Sequence, residues 1–354
     1  MRHNYVIFGS ADDYYRVSYN DMSNNTEVKY LYKRIDSENK HLTNLYRFHT
    51  SPITNRFFKL PGQKIWNRMA FRGRFDEDKP LCFVFFIKKR LFESGLVEYL
   101  RRKYQGCKIV LFCQDLVAHS LAFGANELFS KMDLCLSFDH ADTEKYGMDY
   151  YPLVYSPYDV PEDASIEESD VCFVGKAKDR LPQILAAYER FRDAGLRCDF
   201  YITSVKSEDQ KYADEITYGN QMTYIENLKH IKKTKCLLEI MQGGGHGYTL
   251  RACEAIMYDK KMITDNPEIA NAPFYRPELI SVFNSAEDID SLFVNAEPTV
   301  ADYEWKENLS PLKLLEWMNE KNIKETRSVE IYCQESSYGI CITHLFNHRA
   351  ITVL

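Results

Sequence analysis

Between Cys236 and Asn266 the chain runs from apolar to glycine-rich to amphipathic and back to apolar, and few architectures accept that order. The run Cys236-Leu237-Leu238-Glu239-Ile240-Met241 reads as a buried strand. Glycines at 243, 244, 245 and 247 then open a flexible turn. From Thr249 the spacing becomes helical, with Leu250, Cys253, Ala255, Ile256 and Met257 on one face, before Lys261-Met262-Ile263-Thr264 begins another strand. Strand, glycine loop, helix and strand form one right-handed βαβ unit, so parallel sheet is expected.

Such a unit offers a ligand the loop's unhindered backbone and the unpaired N–H groups at the helix start, whose partial positive charge suits a phosphate. Thr249 and Arg251 fall in that first turn. Glu254 lies about one turn, roughly 5 Å of rise, beyond Leu250, where a carboxylate can accept hydrogen bonds from a ribose diol. Nucleotide binding is therefore expected. The usual fingerprints are missing: GxxxxGK[ST] is absent, and GxGxxG read from Gly243 ends on Tyr248.

The stretch Gly247-Tyr248-Thr249-Leu250-Arg251-Ala252-Cys253-Glu254-Ala255, followed by Lys260-Lys261-Met262-Ile263-Thr264-Asp265-Asn266, resembles the donor-site signature of bacterial GT-B fold glycosyltransferases. These belong to capsule, exopolysaccharide and lipopolysaccharide pathways, and the donor domain is similar to that of glycosyltransferase families 1 and 4. The resemblance implies an α/β chain of two Rossmann-like, doubly wound domains facing a central cleft. Residues 1–160 would be the acceptor domain, 161–325 the nucleotide-sugar domain, and 326–354 a tail of unassigned role. It also implies that Glu254 holds the donor ribose, and that Gly245, Gly247, Tyr248, Thr249 and Arg251 belong to the donor site. Gly175, Lys176 and Arg180 join them, because the loop after the second domain's first strand faces the donor diphosphate in this fold. Many retaining members carry a glutamate eight residues before the ribose-binding one. His246 stands there, as a contact to the transferred sugar or a phosphate, or as a spacer, and the anomeric outcome stays open. No cofactor is implied beyond the nucleotide-sugar as co-substrate, and the reaction is expected to need no metal.

Composition agrees with two soluble-type cores: 354 residues, 45% hydrophobic and 14% aromatic, are enough for two domains. Met1-Arg2-His3-Asn4 leads into only a short apolar run, and Leu81 to Ile87 is far below the roughly 20 residues that cross a bilayer. A cytoplasmic protein is expected, working at the inner face of the membrane. Most of the ten cysteines sit in strand-like apolar runs without any CxxC pair, so reduced thiols are expected. The net charge of −6 divides into +5 over residues 1–155 and −11 over the rest, which suggests domains with different partners.

In chain order, 4–9 and 26–32 read as strands, and the polar 10–25 between them as a loop. Residues 47–74 hold seven Lys or Arg and no acid, interleaved with Phe48, Phe57, Phe58, Trp66 and Phe71. That segment is either a solvated connection or a surface for a lipid-linked or glycan acceptor at the membrane; nucleic acid is not favoured, for want of a recognition module. Leu81 to Ile87 and Cys107 to Cys113 are buried strands. The second delivers Asp115, with His119 beyond it, to a sheet's carboxyl end, where ligands bind, so both are candidates for acceptor binding or general-base work. Asp139 and Asp142 read as capping residues. Asp288-Ile289-Asp290 matches a metal-binding DxD, yet its context fits a helix start with Ser285 as N-cap. Two rivals to a glycosyltransferase stay open: a nucleotide-sugar epimerase on the same fold, and a catalytically silent subunit that supports an active partner.

Overall fold

The computed structural model describes residues 1–10, 12–32, 35, 37–51, 61–71, 78–86, 95–120, 125–243 and 245–321. Two six-stranded sheets, parallel throughout, form the two halves. The first comprises β1 (Asn4–Phe8), β2 (Val28–Leu31), β3 (Leu81–Phe86), β4 (Lys108–Cys113), β5 (Leu134–Ser137) and β6 (Asp149–Tyr150) in the order 2-1-3-4-5-6. The second comprises β7 (Ser169–Lys176), β8 (Cys198–Thr203), β9 (Thr217–Gly219), β10 (Thr234–Glu239), β11 (Lys261–Thr264) and β12 (Ile280–Val282). Its order, 9-8-7-10-11-12, is the doubly wound Rossmann arrangement, with the switch point between β7 and β10. The chain thus has the GT-B architecture expected of it.

The central strands β1, β3 and β4 are nearly continuous apolar runs because both faces of a parallel sheet are covered there. In β3, Cys82, Phe83, Val84, Phe85 and Phe86 are all buried. Phe83 and Phe85 pack under the helix Leu96–Lys103, while Cys82, Val84 and Phe86 pack on the opposite face. Each such aromatic contributes about 1.5–3 kcal/mol relative to exposure.

Two features differ from expectation. Residues 10–25, read as a polar loop, contain the helices Asp13–Ser18 and Asn20–Ser23, with Val17, Tyr19 and Met22 fully buried. The apolar side chains return every three residues or so among Asp, Asn and Ser, and that short face is what folds the segment. The helix Pro311–Glu320, grouped by sequence with residues 161–325, returns to the first sheet. Its Leu314, Leu315 and Met318 pack with Tyr5, Ile7, Val84 and Leu136, and the Tyr5 hydroxyl donates to Asn319 Oδ1 at 3.0 Å.

Asp288 of the DxD motif closes a single 3-10 turn, Ala286–Asp288, capped by Ser285: its Oδ2 accepts from both the amide and the hydroxyl of Ser285, each at 3.1 Å. Among the described residues no helix is long and apolar enough to cross a membrane. The tail 326–354 lies outside the described residues.

Candidate active site

A cleft of about 570 Å³ opens where the carboxyl ends of the two sheets meet. From the second domain it is lined by the ends of β7, β8 and β10, the glycine loop and the helix Leu250–Met257; from the first, by Tyr14, Gln114, Asp115, Leu116 and Phe138. This is the switch-point crevice in which doubly wound sheets bind ligands. Ten of the twelve residues singled out from sequence line it: Asp115, Gly175, Lys176, Arg180, Gly245, His246, Gly247, Thr249, Arg251 and Glu254. Tyr248 is not among the lining residues; its ring packs edge-on against Phe274 at 5.0 Å and anchors the loop to the core. His119 is carried on the short helix Val117–Ser120, and its side chain lies outside the described residues.

Glu254 sits at the floor, only 2% exposed. Its Oε1 accepts from the Tyr224 hydroxyl at 2.7 Å and from Asn227 Nδ2 at 3.3 Å, and its Oε2 pairs with Arg251 Nη1 at 2.7 Å. Burial pushes its pKa up, opposed by Arg251 and the two donors. A carboxylate has about four lone-pair sites, so these partners leave room for one further donor, on Oε2. Tyr224 is held by the Tyr155 hydroxyl at 2.9 Å and meets the edge of Tyr14, from the first domain, at 5.6 Å. Tyr14, on the helix Asp13–Ser18, and Tyr224 and Asn227, together on the helix Tyr224–Lys233, carry no signal in sequence, since neither helix adjoins the glycine loop along the chain.

Glu239 ends β10 and is also buried. It accepts from the hydroxyls of Thr249 and Thr264. Thr249 in turn caps the helix Leu250–Met257, accepting from the Arg251 amide at 3.0 Å, and Thr264 accepts from the Asn266 amide at 3.0 Å. Asn266 then donates to the Gly247 carbonyl at 2.9 Å. One carboxylate therefore sets both the helix start and the turn beside the glycine loop. Burial raises its pKa, against the hydrogen bonds of the two threonines and the charge of Arg251. Inside the run 236–241 Glu239 looked like part of an apolar strand; the one available signal was its place at the strand's carboxyl end.

The phosphate candidates divide. Lys176 is exposed at the cleft rim. The Arg180 guanidinium is half-buried over the Phe173 ring and donates to the carbonyls of Lys176, at 2.9 Å, and Ile240. It braces the β7 and β10 loops, and burial pulls its pKa down. Gly175 permits this closeness, because a Cβ there would meet the Phe173 ring at 3.3 Å. Arg251 reaches back to the Val174 carbonyl at 3.0 Å. Asp115 stands across the cleft at the end of β4, exposed, with one carboxylate oxygen accepting from the Leu116 amide at 2.9 Å.

The glycine loop touches the other domain. The His246 amide donates to Asp139 Oδ2 at 2.6 Å, and its carbonyl accepts from the His140 amide at 2.9 Å. The imidazole Nδ1 lies 3.0 Å from Glu268 Oε1. Asp139 is also the N-cap of the helix His140–Tyr146, and Asp142 accepts from the Val117 amide at 2.8 Å, so both aspartates hold backbone N–H groups.

No family model matches the chain, and no curated protein matches it either. Solved structures do resemble it. A UDP-forming α,α-trehalose-phosphate synthase from Burkholderia xenovorans has 10% identity and a TM-score of 0.49, over 91% of this chain and 99% of that one. A sucrose-phosphate synthase from Thermosynechococcus elongatus has 10% identity and a TM-score of 0.48, over 90% and 99%. A pneumococcal O-GlcNAc transferase, solved with UDP and GlcNAc, has 11% identity and a TM-score of 0.42, over 68% and 56%, so the chain spans little more than half of that protein. With each score below 0.5, the fold rests on the two strand orders and the cleft between them.

Proposed function

We propose that the chain transfers a sugar from a nucleotide-sugar donor to a glycan or lipid-linked acceptor, in the manner of surface-polysaccharide glycosyltransferases. The observation that carries this reading is the switch-point cleft, where the buried Glu254, the glycine loop and Lys176 of one domain face Asp115 of the other. Glu254 takes a ribose hydroxyl on its open Oε2 site. Lys176, at the cleft rim beside the glycine loop, receives the diphosphate, with Arg180 bracing the loops around it, and stabilises the charge that grows on it as the glycosidic bond breaks. That work needs no metal. Asp115, at the end of a rigid strand, accepts the proton of the acceptor hydroxyl. Closure of the domains over the cleft excludes water that would hydrolyse the donor.

The acceptor side has support in the 40–70 region. The helix Lys40–His49 buries none of its residues, and Leu45, Phe48 and Ile65 are 55%, 61% and 58% exposed beside Arg47, Lys64 and Arg68. Apolar side chains interleaved with cations suit an anionic lipid surface, which would bring a lipid-linked acceptor to the cleft from the inner face of the membrane. Residues 52–60 and 72–74 of the segment marked out from sequence lie outside the described residues.

A second reading, the silent subunit, draws on one observation: Glu254 is closed in by Tyr224, Asn227 and Arg251, while His246 faces Glu268. The two readings separate on turnover. The protein is incubated with UDP-, GDP-, ADP- and dTDP-sugars and a membrane glycolipid extract, and nucleoside diphosphate release is followed by mass spectrometry. Acceptor-dependent release that falls about a hundredfold in Asp115→Asn supports transfer. Binding of a nucleotide-sugar without release, in the presence of extract, supports the silent subunit; release of free nucleotide and an altered sugar without acceptor would mark an epimerase.

A further inference from the structure

We propose that Asp139, a residue of the first domain, positions the donor loop of the second: it holds residues 245–247 in their cleft-lining shape, so that the loop is complete only while the domains are together. This rests on the nucleotide-sugar reading above. Three contacts meet at one spot. Asp139 Oδ2 accepts from the His246 amide at 2.6 Å, and the His140 amide donates to the His246 carbonyl at 2.9 Å. Gly247, at φ +148°, lies so close to the first domain that a Cβ would stand 2.5 Å from the Phe138 carbonyl oxygen. On the second domain's own side the same residues are held by Asn266 Nδ2, 2.9 Å from the Gly247 carbonyl, and by Glu268, 3.0 Å from the imidazole.

Asp139 is itself 1% exposed, and its Oδ1 accepts from the Asp142 amide at 2.9 Å. A single buried carboxylate thus caps the start of a helix in one domain and fixes the backbone of a loop in the other. Such a bond to a charged acceptor is among the stronger hydrogen bonds. The loop needs it, because its glycines lose the most backbone freedom on ordering and offer no side chains to pack. Domain closure and loop order are therefore one event, and a ligand that needs the ordered loop favours the closed molecule in return.

Asp139→Ser tests this in the full chain, because serine is a good N-cap for the helix His140–Tyr146 yet is too short to reach across as well. Hydrogen exchange of the peptide carrying residues 245–247 and calorimetric affinity for UDP, GDP, ADP and dTDP are compared with wild type, with the thermal midpoint as a folding check. The expected result is faster exchange in that peptide and a Kd raised about tenfold or more, in a variant that still unfolds cooperatively. A merely structural cap in the first domain would not move nucleotide affinity. Should the variant fold poorly, Gly247→Ala strains the same contact from the other side and must give the same two changes. Unchanged exchange overturns the proposal, and so does faster exchange with wild-type affinity. If wild type binds no nucleotide, the donor reading falls and the donor-positioning role with it, while the exchange result still decides whether Asp139 holds the loop.

Discussion

Replacing Arg251 by methionine keeps the length and apolar stem of the side chain and removes the cation that faces Glu254. Two contacts disappear: the 2.7 Å pair with Glu254 Oε2 and the 3.0 Å bond to the Val174 carbonyl. Glu254 is then a carboxylate 2% exposed, with donors on Oε1 alone. Removing one partner of a buried pair costs about 3–5 kcal/mol. The proton sets a ceiling. Glu254 can be neutralised at about 1.36 kcal/mol for each unit between the solution pH and its unfolded value near 4.3, so that part is at most about 3.7 kcal/mol at pH 7 and about 1 kcal/mol at pH 5. The sign is clear: a carboxyl whose folded pKa lies above its unfolded value contributes stability below the unfolded pKa and loses it as pH rises through the folded one. Urea unfolding followed by circular dichroism at pH 5.0 and 7.5 is expected to show Arg251→Met destabilised by about 3–5 kcal/mol at the higher pH and markedly less at the lower. The double variant Arg251→Met with Glu254→Gln should recover most of the pH 7.5 loss. Equal losses at both pH values, or a double variant no better than the single, would refute the reasoning that burial of the Glu254 charge governs this site.

Glu239→Gln should flatten the pH dependence of stability: the raised pKa of Glu239 makes its contribution fall as pH rises above the ordinary carboxyl range, and an amide does not titrate. A thermal midpoint that falls, above the ordinary carboxyl range, as steeply in the variant as in wild type would contradict this. Lys176→Ala, at an exposed position, should leave stability within about 0.5 kcal/mol, yet weaken nucleoside diphosphate binding about tenfold; nucleoside affinity, measured in parallel, should not change. Removing divalent metal with EDTA should leave nucleotide affinity as it was, because the Lys176 cation takes the diphosphate charge; a large loss would move that charge onto a metal.

The parallel sheets were legible because a strand buried on both faces has to be an apolar run, as in LCFVFF, and because the glycine loop between two such runs allows little besides a βαβ unit. Asp288 was legible for the opposite reason, since its capping partner Ser285 is only three residues away. What stayed hidden lies at long sequence separation. Glu239 takes its meaning from Thr249 and Thr264, and Asp139 from an amide 107 residues later. The helices in 10–25 were concealed by composition: a face built by Val17, Tyr19 and Met22 is too short to stand out among Asp and Asn, and only the cores of both domains give it a reason to form.

The central claim is that the cleft holds a donor nucleotide with Glu254 at its ribose. Calorimetric binding of UDP, GDP, ADP, dTDP and CMP to wild type and to Glu254→Gln, without added metal, tests it most directly. The account predicts that one nucleotide binds wild type, stabilising it by roughly 2.7 kcal/mol at a hundred times its Kd, and that the variant loses most of that affinity while losing far less for inorganic pyrophosphate. A folded wild type that binds none of the five, or a Glu254→Gln variant that binds as wild type does, would contradict it.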